Sequence, residues 1–197
     1  MYKLSEVRFL KISSDKLHKR HVQRTLHDFA NATLTLLQTQ SLEDMTTKDI
    51  CDSSNYPRAT FYNYFYDKYD LVHYCFDLIS QKIELDPNSK HTSPELVSLT
   101  FTQLYDLLET HRSEVEDILK YNTKTQQLIR EFMSYLKNTI SIKIENCIHN
   151  TNGGLPPELL AQHFSNTTIL VIDWTLYHPE ISFEQAHQYL NYLLGIK

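Results

Sequence analysis

An all-α fold is what this sequence predicts, and three observations carry the prediction. The 197 residues include only three glycines, two of them adjacent at Gly153 and Gly154, too few for a turn-rich sheet protein or a glycine-rich phosphate loop. Apolar residues recur at three- and four-residue intervals along most of the chain, the repeat of a helix with one buried face. Capping residues and first-turn prolines fall where those periodic runs begin. The expected layout is about nine helices: an N-terminal arm, a three-helix helix-turn-helix head and a connecting helix over residues 1–84, then a larger C-terminal helical domain over 85–197.

The first helix is read from about Lys16 to Gln38, where Val22, Leu26, Phe29, Ala30, Thr33, Leu36 and Leu37 form one stripe. In "TTKDICDSS", Thr46 is an N-cap, and Asp49 three residues on closes a capping box while its carboxylate faces the positive helix end. Asn55 then tolerates a left-handed turn, and Pro57 presets the backbone for a new first turn. Short helix, sharp turn and short helix together span Thr46 to about Phe65. Asp67 caps the next helix, which runs through Leu71, Val72, Cys75, Phe76 and Ile79.

The stretch "LDPNSKHTSP", residues 85–94, breaks the periodicity and marks the domain boundary. Beyond it, helices are expected over about 96–110, 113–120 and along "KTQQLIREFMSYLKNTISIKIENCIHN". "NTNGGLPP" stops that long helix, Pro157 starts another to about Tyr177, and Ser182 caps the last one, to Leu194.

Charge is distributed unevenly. The whole chain carries -5, yet residues 1–24 hold seven basic side chains (Lys3, Arg8, Lys11, Lys16, Lys19, Arg20 and Arg24) against two acidic ones. The basic end therefore comes first, and net charge alone does not exclude a polyanionic partner. Three widely spaced cysteines without a CxxC pair fit a reducing cytoplasm. No run approaches the ~18 apolar residues of a membrane span, and "MYKLSEVRFLKISSDK" lacks the apolar core of a secretory signal.

"SSNYPRATFYNYFYDKYDL", residues 53–71, packs seven aromatic rings between Tyr56 and Tyr69. On a helix starting at Pro57, Phe61 and Phe65 share one face and Arg58 and Tyr62 another. The phenylalanines are expected to bury against Ile50, Leu36 and Leu37. Thr60, Tyr62 and Tyr64 carry hydroxyls that can donate to phosphate, and Arg58 can pair with phosphate or fork onto a guanine edge. Asn63 projects from the same helix and can read adenine. Tyr56, Tyr66 and Tyr69 are better explained as amphipathic rings at the rim of a small core.

With those residues in view, "TTKDICDSSNYPRATFYNYFYDKYDLV" resembles the DNA-binding head of the tetracycline-repressor (TetR) family of bacterial transcription regulators, through Ile50, Thr60, Phe61, Tyr62, Phe65, Lys68 and Leu71. The resemblance covers about residues 16–75. It implies that the helix begun at Pro57 enters the major groove with Arg58, Ala59, Thr60, Tyr62, Asn63 and Tyr64 at the DNA. It also implies that Thr46 and Lys68 bind phosphate at the starts of their helices. Three positions depart from the family pattern: Asn55 replaces the usual turn glycine, Tyr64 stands where histidine is common, and Ser41 replaces the glycine after the first helix.

The same resemblance implies a regulatory and dimerisation domain in the second half, pairing through its last two helices. Leu160, Phe164, Thr167, Val171 and Trp174 form one stripe there, and Phe183, Ala186, Leu190 and Leu194 another; either stripe can also serve as intramolecular core. "ILVIDWTLYHPEISFEQAHQYLNYLL" resembles a subgroup related to regulators of dihydroxyacetone kinase genes. The expectation is a cytoplasmic homodimeric repressor of a palindromic operator in double-stranded DNA, released by a small-molecule or protein effector. The alternative is an activator controlled by a protein partner. Phe101, Tyr105, Tyr121, Phe132 and Tyr135 are candidate pocket residues, against the plainer reading that such a stripe is core. His111, His149, His163, His178 and His187 lack metal-site spacing, and no GxSxG, HExxH, P-loop or dinucleotide fingerprint occurs, so no cofactor, metal, membrane or enzymatic role is expected.

Overall fold

The computed structural model describes residues 9–88, 91–123, 126–148 and 154–196. Lys3, Arg8 and the expected helix stop through Asn150 to Gly153 lie outside the described residues. All regular structure among the described residues is α-helical. In order, the helices are α1 (Ser14–Leu17), α2 (Arg20–Leu37), α3 (Thr47–Ser54), α4 (Arg58–Tyr64), α5 (Lys68–Ser80), α6 (Ser93–Thr110), α7 (Arg112–Tyr121), α8 (Gln127–Cys147), α9 (Pro157–Leu176) and α10 (Phe183–Leu194). Among the described residues one more helix is present than the sequence predicts, because the expected first helix is interrupted. His18 closes α1, and Lys19 adopts an extended backbone (ψ 125°) as the N-cap of α2, although no glycine or proline marks the break.

The chain separates into two compact units, one formed by residues up to Ile79 with Ser113–Ile129, the other by Ser80–Arg112 with Arg130–Lys197. Nearly all of α7 thus folds with the head-side unit, beyond the boundary suggested by the proline- and serine-rich stretch.

In the first unit, α2 buries Val22, Leu26, Phe29, Ala30, Ala32 and Leu37, and packs against α3. Phe29 sits at the centre of a ring cluster, edge-on to Phe61 at 5.5 Å and to Phe65 at 6.2 Å, with Tyr56 at 5.2 Å. All three phenylalanines have no solvent exposure. Ile50 and Leu37 are buried as expected, whereas Leu36 is only half-buried. The core side of α5 comprises Leu71, Val72, Cys75 and Phe76.

In the second unit, α6, α9 and α10 pack on one another, and α8 adds Leu136, Ile140, Ile144 and Cys147 to a shared core with Leu96, Val97, Phe101 and Leu104. Ser182 and Gln185 form the capping box that starts α10, and Gly195 closes it in the left-handed conformation (φ 64°). Thr92 and Glu95 start α6 in the same way. None of the described helices is long and apolar enough to cross a membrane.

Candidate nucleic-acid interface

The α3–α4 pair owes its geometry to two local devices. At the start of α3, the Asp49 N–H donates to the Thr46 hydroxyl oxygen at 3.2 Å, while the Thr46 N–H and hydroxyl donate to the Asp49 carboxylate at 2.8 and 2.6 Å. Those donations from Thr46, its hydroxyl first, hold the Asp49 carboxyl below its ordinary value, with Lys48 and Arg58 adding to the effect. At its end, Asn55 takes the left-handed conformation (φ 59°, ψ 37°), the one positive-φ non-glycine residue among those described. The Tyr56 N–H then donates back to Cys51 O at 3.1 Å and the Asn55 N–H to Asp52 O at 3.4 Å, the paired bonds of a Schellman stop. Pro57 follows as N-cap of α4 with φ -60°. The chain therefore turns from α3 into α4 within three residues, and asparagine supplies the conformation usually given to glycine.

Ser41, another departure from the family pattern, needs no left-handed backbone. Its hydroxyl donates to Asp44 at 2.7 Å and accepts the Asp44 N–H at 3.1 Å, so the side chain itself closes the turn after α2.

Helix α4 has two chemically distinct sides. Phe61 is fully buried, as is Phe65 just past the helix end, while Arg58, Ala59, Tyr62 and Asn63 are exposed and Thr60 and Tyr64 half-buried. The rings of the aromatic stretch divide accordingly. Tyr56 lies against Phe29, and its hydroxyl donates to Asp28 at 2.9 Å, tying the turn to α2. Tyr66 and Tyr69 are exposed rather than tucked into a core rim.

Two residues expected on phosphate have their donors engaged inside the protein. Thr46 gives both its N–H and its hydroxyl to Asp49. The Lys68 ammonium donates to three backbone carbonyls, Leu42 at 2.6 Å, Glu43 at 3.0 Å and Met45 at 2.7 Å. A lysine ammonium has three protons, so this clamp uses all of them. Both side chains hold the start of α3 in place. Lys48 is exposed on the first turn of α3 and was not singled out from the sequence, where an isolated lysine carries no signal. Lys16, Lys19, Arg20 and Arg24 are exposed on α1, α2 and the link between them.

The described end of the N-terminal arm is bound to α4 and α5, which the sequence did not foretell. The Lys11 N–H donates to Tyr64 O at 2.9 Å, and its ammonium donates to Tyr62 O at 3.2 Å while lying 4.1 Å from the Tyr66 ring centroid. A cation thereby meets the carbonyl end of α4, where the helix dipole favours it. Phe9 stacks on His73 at 4.6 Å.

The remaining sequence candidates fall in the second unit, with one exception. Phe101 and Tyr105 are buried core residues, and both lie against Phe183, at 6.0 and 5.2 Å. The Tyr105 hydroxyl donates to Ile181 O. Phe132 and Tyr135 are half-buried on α8, and Tyr121, about half exposed, belongs to the other unit. The five candidate pocket residues are therefore not brought together in one unit.

Of the α9 and α10 stripes, Val171, Ala186 and Leu190 are core, and Phe164, Phe183 and Leu194 pack partly against it. Leu160 and Thr167 are half-buried, and Trp174 is half exposed, stacked on His178 at 3.9 Å. Beside Trp174, the outward apolar positions lie one notch round from these stripes: Leu159, Leu170 and Tyr177 on or just after α9, and Tyr189, Tyr192 and Leu193 on α10. Periodicity finds a stripe but does not say which of two adjacent stripes faces inward. No cluster of histidine, cysteine, aspartate or glutamate side chains suited to a metal ion occurs among the described residues.

Comparison with known proteins agrees with this geometry. Residues 30–75 match the family model described as bacterial regulatory proteins, tetR family. No curated protein matches the chain. Among solved structures, a putative TetR-family transcriptional regulator from Syntrophomonas wolfei str. Goettingen aligns with a TM-score of 0.67 at 14% identity, covering 87% of this chain and 93% of that one. A SmeT–triclosan complex aligns with a TM-score of 0.64 at 16% identity, over 89% and 93% of the two chains. The dihydroxyacetone kinase operon activator DhaS aligns with a TM-score of 0.54 at 16% identity, over 87% and 94%.

Proposed function

Starting from a chain that carries the TetR-regulator fold and a head that matches that family's model, we propose that this DNA-binding regulator is a homodimeric repressor that reads a palindromic operator with α4. The observation that carries the reading is the division of α4: Arg58, Ala59, Tyr62 and Asn63 stand in solvent while Phe61 and Phe65 anchor the same two turns from behind. Arg58 supplies a guanidinium for phosphate or a guanine edge, Asn63 an amide for adenine, and Thr60, Tyr62 and Tyr64 supply hydroxyls. Lys48 and the exposed cations of α1 and α2 add the sequence-independent attraction that gives such complexes their salt dependence.

The exposed apolar side chains of α9 and α10 support pairing of two chains. Leu159, Leu170 and Trp174 are each half exposed or more, and Tyr192 is 87% exposed, an unusual concentration of apolar surface on two consecutive helices. A twofold pair places two copies of α4 on one duplex at half-sites about one helical turn, ~34 Å, apart. Repression then needs binding alone, since a dimer seated over a promoter excludes other proteins, and release needs a signal that alters the pair.

Selection of bound sequences from random duplex DNA tests the whole reading. The expected outcome is a twofold-symmetric site, and Arg58→Ala is expected to weaken binding to it by ~5- to 150-fold, the range of a lost bidentate contact, without changing thermal stability. Recovery of no preferred duplex, or unchanged affinity of the variant, overturns it.

A further inference from the structure

Residues 38–46, between α2 and α3, are held by side chains distant in sequence. Asn122, just after α7, is fully buried. Its Oδ1 accepts the Leu42 N–H at 2.8 Å, and its Nδ2 donates toward Ile118 O at 3.2 Å and Leu37 O and Gln40 O at 3.4 Å each. From α5, Lys68 takes the carbonyls of Leu42, Glu43 and Met45. The polar atoms of Leu42 are thus bound from two sides, its N–H by Asn122 and its C=O by Lys68, and its own side chain is 1% exposed. Thr46, which caps α3, follows directly on the last carbonyl that Lys68 grips.

A buried amide with both ends engaged is directional in a way that a leucine is not. Its loss leaves the buried Leu42 N–H without a partner and removes the side-chain donor from Leu37 O. The orientation of the first turn of α3 depends on this short connection, and α4 is joined to α3 by only three residues, Asn55 to Pro57.

Resting on the DNA-binding reading above, we propose that Asn122 is a positioning residue for DNA binding, which together with Lys68 fixes the α2–α3 connection and so aims the α3–α4 pair at the duplex. It touches no DNA. Its contribution is to hold one orientation of the pair ready, so that binding does not have to select it from several.

The test measures binding of full-length wild type, Asn122→Ala and Asn122→Asp to the duplex selected by the wild type, at a temperature where circular dichroism shows each variant folded. Asn122→Ala is expected to lose at least about tenfold in affinity with the salt slope unchanged, since no phosphate contact is removed. Asn122→Asp keeps the acceptor for Leu42 N–H but turns an oxygen toward carbonyls. Protonation restores a donor, so its affinity relative to wild type is expected to rise as pH falls from 8 to about 5.5. Affinity of Asn122→Ala within twofold of wild type, or a relative affinity of Asn122→Asp that does not change with pH, overturns the proposal.

Should neither variant fold, hydrogen exchange on the wild type decides. The Leu42 amide is expected to exchange as slowly as the amides of buried α2 and α3, and rapid exchange overturns the proposal. A wild type that selects no duplex sinks the underlying reading, which is a different result from a wild type that binds and variants that bind equally well.

Discussion

Replacing Lys68 with methionine separates two roles that the same residue could play. The substitution keeps most of the stem and removes the ammonium. In the structure that ammonium serves three carbonyls, two of them, Leu42 O and Met45 O, at part-buried sites and at 2.6 and 2.7 Å. The third, at 3.0 Å to Glu43 O, is exposed, and water can replace it. Counting ~1 kcal/mol for each of the two part-buried bonds, below the range for charged donors in order to allow for solvent screening, gives a loss of ~2 kcal/mol. For a chain of 197 residues this corresponds to a fall in Tm of ~4–8 °C by differential scanning calorimetry. A lysine that bound phosphate instead would leave Tm unchanged when replaced. Its loss would reduce the dependence of log affinity on log salt by ~0.9. Lys68→Met with unchanged Tm and a shallower salt slope would refute the clamp and favour a phosphate contact by Lys68.

Three further outcomes follow from the same geometry. At Asn55, where φ is 59°, glycine is expected to be tolerated within a few tenths of a kcal/mol, whereas valine is expected to cost at least ~1–2 kcal/mol by denaturant titration; equal stability of the two variants would deny the left-handed turn. Asp49 has its pKa lowered in the folded state, so its contribution is fully present above the unfolded carboxylate value and is lost as pH falls through the folded one. Asp49→Asn should therefore flatten stability against pH below about pH 4, and an unaltered acid limb would remove the capping box as a source of stability. Leu170→Asp, on the outward side of α9, is expected to convert a dimer to monomer in sedimentation velocity without unfolding it, whereas a dimer that survives would place the pairing surface elsewhere.

Local chemistry was legible in the sequence, and tertiary partnership was not. The capping Thr46 and Asp49, the left-handed Asn55 and the cap at Ser182 lie within a few residues of their partners, so spacing alone identifies them. The burial of Phe61 and Phe65 follows from helical periodicity in the same way. Lys68 illustrates the opposite case. Its family-like position suggested phosphate, but its carbonyl partners lie 23 to 26 residues earlier in the chain. Asn122 was invisible because an asparagine near a helix end usually signals only a stop, and its partner at Leu42 is 80 residues away. Val171 and Trp174 share one periodic stripe yet end up buried and exposed respectively, since packing of α9 against α6 and α10 decides the rotation of the helix.

Two turns of helix cannot hold their shape unaided in water, so α4 keeps its exposed face in place only while Phe29 backs it. Removing that ring would cost ~3–5 kcal/mol, a large share of the stability of an ordinary domain. If α4 reads an operator as proposed, a genetic screen for loss of operator occupancy would gather two populations that look identical on a plate: substitutions at Arg58 that leave a sound protein blind, and substitutions at Phe29 that dissolve the eye itself.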